Sequence, residues 1–239
     1  MEKSSNSVLA DNLDRVQLSI ADACAACGRS PDAVTLLGVT KTVPPERMNE
    51  AIRLGLDEIG ENRVQEYLGK RETLELESLR AVHLIGHLQT NKVEKIVGQV
   101  DMIQSVDSLR LASAIDAASR KRGLVTDILV EVNIGGEEAK SGVAPDVLYD
   151  FLAEIAPLSS IRVRGLMTVP PISDTETEKR RNFAKLYKLF IDIPGKNRDN
   201  RDIGILSMGM SDDYREAILE GATMVRVGSA IFGKRNYTN

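Results

Sequence analysis

A run of apolar and small residues, Leu36-Leu37-Gly38-Val39-Thr40, leads straight into Lys41 and is stopped by Pro44-Pro45. Proline has no N–H to give to a strand ladder, so the run reads as a buried parallel strand. Lys41 then stands at its carboxyl end, where α/β barrels and open α/β sheets keep their chemistry. A lysine desolvated at such a point loses proton affinity and becomes an amine able to form a Schiff base. Taken alone, Lys41 reads as an ordinary solvated lysine beginning a loop, because most lysines are solvated.

Two stretches late in the chain change its company. One is Leu206-Ser207-Met208-Gly209-Met210-Ser211-Asp212-Asp213, and the other is Val225-Arg226-Val227-Gly228-Ser229-Ala230-Ile231-Phe232-Gly233. Small residues let backbone N–H groups come close to a phosphate, and Ser207 and Ser229 add hydroxyl donors. An amine facing a phosphate site suggests pyridoxal 5′-phosphate (PLP), whose ring would span the gap. The ring nitrogen needs a partner, and Arg226 is placed to be it.

The elements that must position these groups alternate strand, loop and helix. Strands are read at 35–40, 57–60, 81–85, 102–105, 127–133, 161–167, 203–207 and 224–227. Helical periodicity marks 45–54, 63–79, 108–122, 145–156, 174–190 and 212–220. An amphipathic helix over about 7–27, ended by Gly28, precedes them. Eight βα units predict a single (β/α)8 TIM-type barrel over about 34–235 with an extra N-terminal helix, all in one domain of residues 1–239. A doubly wound open sheet would show a Gly-rich turn after its first strand, and here a Pro-Pro follows. In a barrel the strand ends Lys41, Asn62, His87 with Gln89, Ser105, Asn133, Met167, Ser207 and Arg226 converge on one face. The two small-residue loops then follow strands seven and eight, the usual phosphate position.

Other residues carry less. Cys24 and Cys27 share the apolar stripe Leu9, Leu13, Val16, Ile20 and read as buried structural thiols, with no further ligands at metal spacing. His83 and His87 are the only histidines, and no acidic orienter is evident for either, so both read as structural or peripheral. The formal charge of −4 over 239 residues argues against nucleic-acid binding. No apolar run reaches the length of a membrane span, and the start lacks a signal-peptide core, so a cytosolic protein is expected.

The sequence resembles the pyridoxal phosphate homeostasis protein family, whose fold matches the N-terminal domain of alanine racemase. The motifs that carry the resemblance are Gly38-Val39-Thr40-Lys41-Thr42, Gly60-Glu61-Asn62-Arg63-Val64-Gln65-Glu66 and His83-Leu84-Ile85-Gly86-His87-Leu88-Gln89-Thr90-Asn91-Lys92. They continue with Val132-Asn133-Ile134, Lys140-Ser141-Gly142-Val143, Gly165-Leu166-Met167 and the two loops above. The resemblance spans about Asn12 to Arg235. It implies that Lys41 forms the internal aldimine with PLP and that Asn62 lies near the ring. It implies further that Ser207 with Met208 and Gly209 forms one side of the phosphate cup, Gly228 and Ser229 the other, and that Arg226 faces the pyridine nitrogen. Val82 stands where many relatives carry tryptophan.

Two functions are weighed. One is a PLP carrier that buffers or delivers the cofactor to PLP-dependent apoenzymes, with no catalytic residues of its own; this is what the resemblance implies. The other is an amino-acid racemase, which needs a second base on the opposite face of the cofactor. Tyr67, Tyr149, Tyr187, Tyr214 and Tyr237 all fall in predicted helices or the tail, and the chain runs to Asn239 just past the eighth unit, so no covering second domain is expected. The carrier is the preferred reading; a monomer is expected for it, with a dimer left open.

Overall fold

The computed structural model describes residues 5–137, 140–195 and 199–233. Eight parallel strands close a barrel in chain order: β1 (Thr35–Val39), β2 (Glu58–Glu61), β3 (Ala81–Leu84), β4 (Met102–Val106), β5 (Thr126–Glu131), β6 (Ile161–Met167), β7 (Arg201–Ser207) and β8 (Met224–Val227), with β8 paired back to β1. The (β/α)8 expectation therefore holds, and the chain is not a doubly wound sheet.

Side-chain alternation sorts each strand into an inner and an outer row. On β8, Val225 and Val227 join the large core beneath the helices, which leaves Met224 and Arg226 inside the barrel. On β5, Ile128 and Val130 face the helices, so Asp127, Leu129 and Glu131 face in. Met102, Leu129 and Met167 form a small separate cluster with Ile205 packed against it. Above that plug the barrel opens into a cavity. Gly60 keeps the interior passable: a Cβ there would stand 2.9 Å from Leu37 Cδ2. Gly165 has φ +156°, and a Cβ on it would sit 1.7 Å from the Ile205 carbonyl oxygen, so no side chain is accommodated where β6 meets β7.

The helices are α1 (Ser5–Ala26), α2 (Pro45–Arg53), α3 (Val64–Lys70), α4 (Val93–Ile96), α5 (Leu109–Lys121), α6 (Leu148–Glu154), α7 (Glu176–Ile191), α8 (Tyr214–Leu219) and α9 (Ser229–Phe232). The N-terminal helix packs on α8 and α9, where Asn12 Nδ2 donates to the Ile231 carbonyl at 3.0 Å and Arg215 Nη1 to Ser19 Oγ at 2.9 Å. Both cysteines are free; Cys24 is buried as expected, whereas Cys27, just past the end of α1, is only half-buried. Among the described residues no helix is long and apolar enough to cross a membrane.

The helix expected over 63–79 stops at Lys70 and gives way to two 3₁₀ turns, Arg71–Thr73 and Leu76–Ser78. Asn49 explains the break. Its Nδ2 donates to the Thr73 carbonyl at 2.8 Å and its Oδ1 accepts from Glu75 N at 3.0 Å, replacing helical partners with side-chain ones. Periodicity did not mark the four-residue α4 and α9, which are too short to carry a signal. The fifth strand ends at Glu131 rather than 133. Asn133 Nδ2 instead ties the following loop, donating to the carbonyls of Glu137 at 2.8 Å and Lys140 at 3.2 Å.

Candidate functional site

The barrel's carboxyl end holds a cavity of about 740 Å³. Lys41 reaches it because it continues the inward row Leu37, Val39 of β1, two residues past the strand's end. Asn62 stands likewise just past β2, and Arg226 lies on the inner row of β8; both line the same cavity. Gly228 and Ser229 complete this set. Five of the eight residues singled out in the sequence are thus brought together.

Ser207, Met208 and Gly209 are not among the lining residues. All three are buried. Met208 N is spent on the Met224 carbonyl at 3.1 Å, and the Gly209 carbonyl accepts from Arg226 N at 3.0 Å, so this segment still behaves as sheet. The loop meets the cavity slightly later, at Met210, Ser211 and Asp212. Ser211 is the residue that sequence reading missed. Its Oγ accepts from Gly228 N at 3.2 Å and Ala230 N at 3.3 Å, joining the two small-residue loops.

Ser207 has a different task. Its hydroxyl donates to Gln104 Oε1 at 2.8 Å and accepts from Arg226 Nη1 at 2.7 Å. Arg226 Nη2 donates to the Thr168 carbonyl at 2.7 Å, which pins the guanidinium plane. Because Gln104 Oε1 takes the serine proton, Gln104 Nε2 must donate, and it meets His83 Nδ1 at 2.7 Å. His83 therefore carries its proton on Nε2, which points at Glu58 Oε2, 3.4 Å away on the barrel floor. Burial pushes the His83 imidazole down from 6.5 to about 4. His83 is structural, as expected, and lies well below the cavity.

His87 behaves otherwise. It lines the cavity, and Asp107 Oδ2 lies 3.8 Å from its Nδ1, so an acidic neighbour exists that the sequence did not reveal. Glu131 is a second missed residue, placed at the cavity by the inner row of β5. Burial raises its carboxyl above the ordinary value, with Asp107 adding to the effect and Arg226 and His87 opposing it. Arg226 is itself lowered to about 10 by burial, against the attraction of Asp213 and Glu131, and so stays charged at neutral pH. Among the described tyrosines none lines the cavity: Tyr67 Oη donates to the Gln99 carbonyl, Tyr149 Oη to the Leu189 carbonyl, and Tyr187 and Tyr214 belong to outer helices. Tyr237 lies outside the described residues.

The cavity therefore offers two lysine amines, one buried guanidinium and a rim of small residues on two linked loops. Of the lysines, Lys140 Nζ donates to the Pro170 carbonyl at 3.3 Å and pairs with Glu137 Oε1 at 3.0 Å, while Lys41 continues the inner row of β1. This donor set fits PLP, with an aldehyde for the amine and a phosphate for the loops. Among the described residues no group of His, Cys, Asp and Glu could hold a metal ion.

Comparison with known proteins bears on this fit. The family model for the alanine racemase N-terminal domain matches residues 25–236. A pyridoxal phosphate homeostasis protein of Aquifex aeolicus is 44% identical, covering 95% of this chain and 98% of its own length. The chain belongs to the pyridoxal phosphate homeostasis protein family. A solved structure, PipY of Synechococcus elongatus PCC7942 with PLP bound, superposes with a TM-score of 0.78 at 34% identity, covering 90% of this chain and all of that one. An alanine racemase of Clostridium difficile 630 shares the fold, with a TM-score of 0.73 at 18% identity, and this chain spans 58% of its length.

Proposed function

We propose that this protein binds PLP covalently through Lys41 and holds or hands over the cofactor rather than turning over a substrate. The observation that carries this reading is the meeting of Lys41, Arg226 and the linked loops 210–212 and 228–229 in one cavity. The names of the relatives, and the PLP in the Synechococcus structure, support the same ligand. Bound there, PLP supplies an aldehyde that a lysine amine can capture reversibly.

The chain's own groups divide the work. Lys41 provides the amine. Ser211 holds the two loops at a fixed spacing through Gly228 N and Ala230 N, leaving the Ser229 hydroxyl at the cavity for the phosphate. Arg226, locked by Ser207 and Thr168, presents a permanent cation to the ring side and so keeps a facing pyridine nitrogen unprotonated, which weakens the ring as an electron sink. That, and the lack of a tyrosine at the cavity among the described residues, favours a carrier over a racemase. The recipients are PLP-dependent apoenzymes, and one subunit is enough for the task.

The direct test is borohydride reduction of the PLP-loaded protein followed by peptide mass mapping. A pyridoxyl group on Lys41 is expected, and one on another lysine alone would overturn the assignment.

A further inference from the structure

Lys41 faces the cavity, so its neighbour Thr40 faces the opposite way, toward α3. Three charged side chains from β2 and α3 close on the backbone around it. Glu61 is fully buried, and its Oε1 accepts from Thr40 Oγ1 at 2.5 Å and lies 2.7 Å from Lys70 Nζ. Lys70 is buried too; its Nζ donates to the Thr40 carbonyl at 3.1 Å and to Glu66 Oε1 at 3.1 Å. Glu66 Oε1 in turn accepts from the backbone N of Thr42 at 2.5 Å. Both peptide units flanking Lys41 are therefore gripped by one ionic cluster.

The grip holds an unfavourable backbone. Thr42 has φ +65°, in the left-handed region that a β-branched residue seldom adopts. Such strain persists only where surrounding structure over-determines it, and it gathers at functional sites. The cluster itself is a poor choice for stability alone. Burying charges is costly, and an apolar replacement of similar volume is often as stable or more so. Glu61 Oε2 adds to the cost, being buried without a partner.

We propose that Glu61, Lys70 and Glu66 are positioning residues that fix the main chain on both sides of Lys41 and so hold its amine at the reach needed to capture a cofactor aldehyde. The inference rests on the PLP-binding reading above. In the capture step the neutral Lys41 nitrogen adds to the aldehyde carbon. A C=N bond replaces C=O, and the aldehyde oxygen leaves as water with the two amine hydrogens, so no oxidant or reductant is needed. Loosening the clamp spreads Lys41 over more positions and lowers the fraction within reach, because bond formation depends steeply on placement.

The test separates covalent capture from simple docking. Wild type, Lys70→Met and Glu61→Gln are titrated with PLP and with 4′-deoxypyridoxine 5′-phosphate, which keeps ring and phosphate but has no aldehyde. The variants should weaken PLP binding by about tenfold or more while the deoxy compound changes by less than about twofold. The borohydride-trapped fraction on Lys41 should fall in parallel. Glu66→Gln keeps an acceptor for Thr42 N and should retain near-wild-type capture, whereas Glu66→Ala should not. Thermal melts establish folding, and where Lys70→Met does not fold, Thr40→Val removes only the hydroxyl partner of Glu61 and gives the same comparison. Equal loss of both ligands, or no change in either, would overturn the positioning role. A wild type that binds neither ligand would instead overturn the PLP reading beneath it.

Discussion

At the scale of the residue, Lys41 is separable from the fold. It lies past the end of β1 and lines a cavity rather than the packed interior. Lys41→Ala should therefore abolish the PLP absorbance band and the reducible adduct with little change in melting temperature; loss of folding in that variant would place the lysine in the core instead. Ser211 is a different kind of residue. Its hydroxyl takes two backbone N–H groups from the neighbouring loop, so Ser211→Ala loosens the proposed phosphate side without touching the amine. The expected loss is on the order of 1–3 kcal/mol in PLP binding. Unphosphorylated pyridoxal should be almost unaffected by the change, and equal losses for both aldehydes would move the phosphate elsewhere. Ser207→Ala should act through Arg226, since Ser207 is spent beneath the cavity.

His83 gives stability a pH dependence of known sign. Its folded pKa of about 4 lies below the ordinary 6.5, so between these values the unfolded chain takes up a proton that the folded one refuses. Its contribution is whole above pH 6.5 and is lost as pH falls toward 4, amounting to about 3 kcal/mol. Glu58, raised mainly by burial, pulls the other way on acidification. The comparison is therefore between wild type and His83→Gln in denaturant titrations across that window. The wild type should lose more stability than the variant on acidification, and parallel curves would refute the assignment.

At the scale of the element, strand ends deliver the chemistry and glycines permit the delivery. β6 can lie against β7 only because position 165 has no side chain. Gly165→Ala should cost several kcal/mol, from steric conflict with a backbone oxygen that cannot move aside plus an unfavourable φ, and a melting temperature near wild type would contradict the register described. Strand β1 and the strand ends were legible because apolar runs and proline stops are local signals. The halt of α3 at Lys70 was not. It depends on Asn49, more than twenty positions earlier, reaching across to the Thr73 and Glu75 backbone. The loop after β7 meets the cavity downstream of the expected residues for a similar reason: whether the N–H of residue 208 is free depends on Met224, a partner in another strand.

At the scale of the whole molecule, the proposed function is cofactor holding at the open end of a closed barrel. PLP-loaded protein should show no sustained racemisation or transamination of alanine, yet should restore activity to a PLP-dependent apoenzyme. Chirality and keto-acid assays alongside apoenzyme reactivation decide it, and steady multiple turnovers lost in Lys41→Ala would favour the enzyme instead.

The sequence by itself determined the barrel and the family and singled out Lys41 as the candidate amine, because strand periodicity, proline stops and short motifs are written in neighbouring residues. Lys41, Asn62, Arg226, Gly228 and Ser229 follow from that local code. The tertiary structure alone decided which hydroxyl faces the cavity and which is consumed below it. It alone brought Asp107 beside His87, aimed Glu131 inward, and gathered Glu61, Glu66 and Lys70 around the backbone of Lys41. Those facts depend on which donors and acceptors meet across strands, and closure of the barrel sets such pairings between residues far apart in the chain.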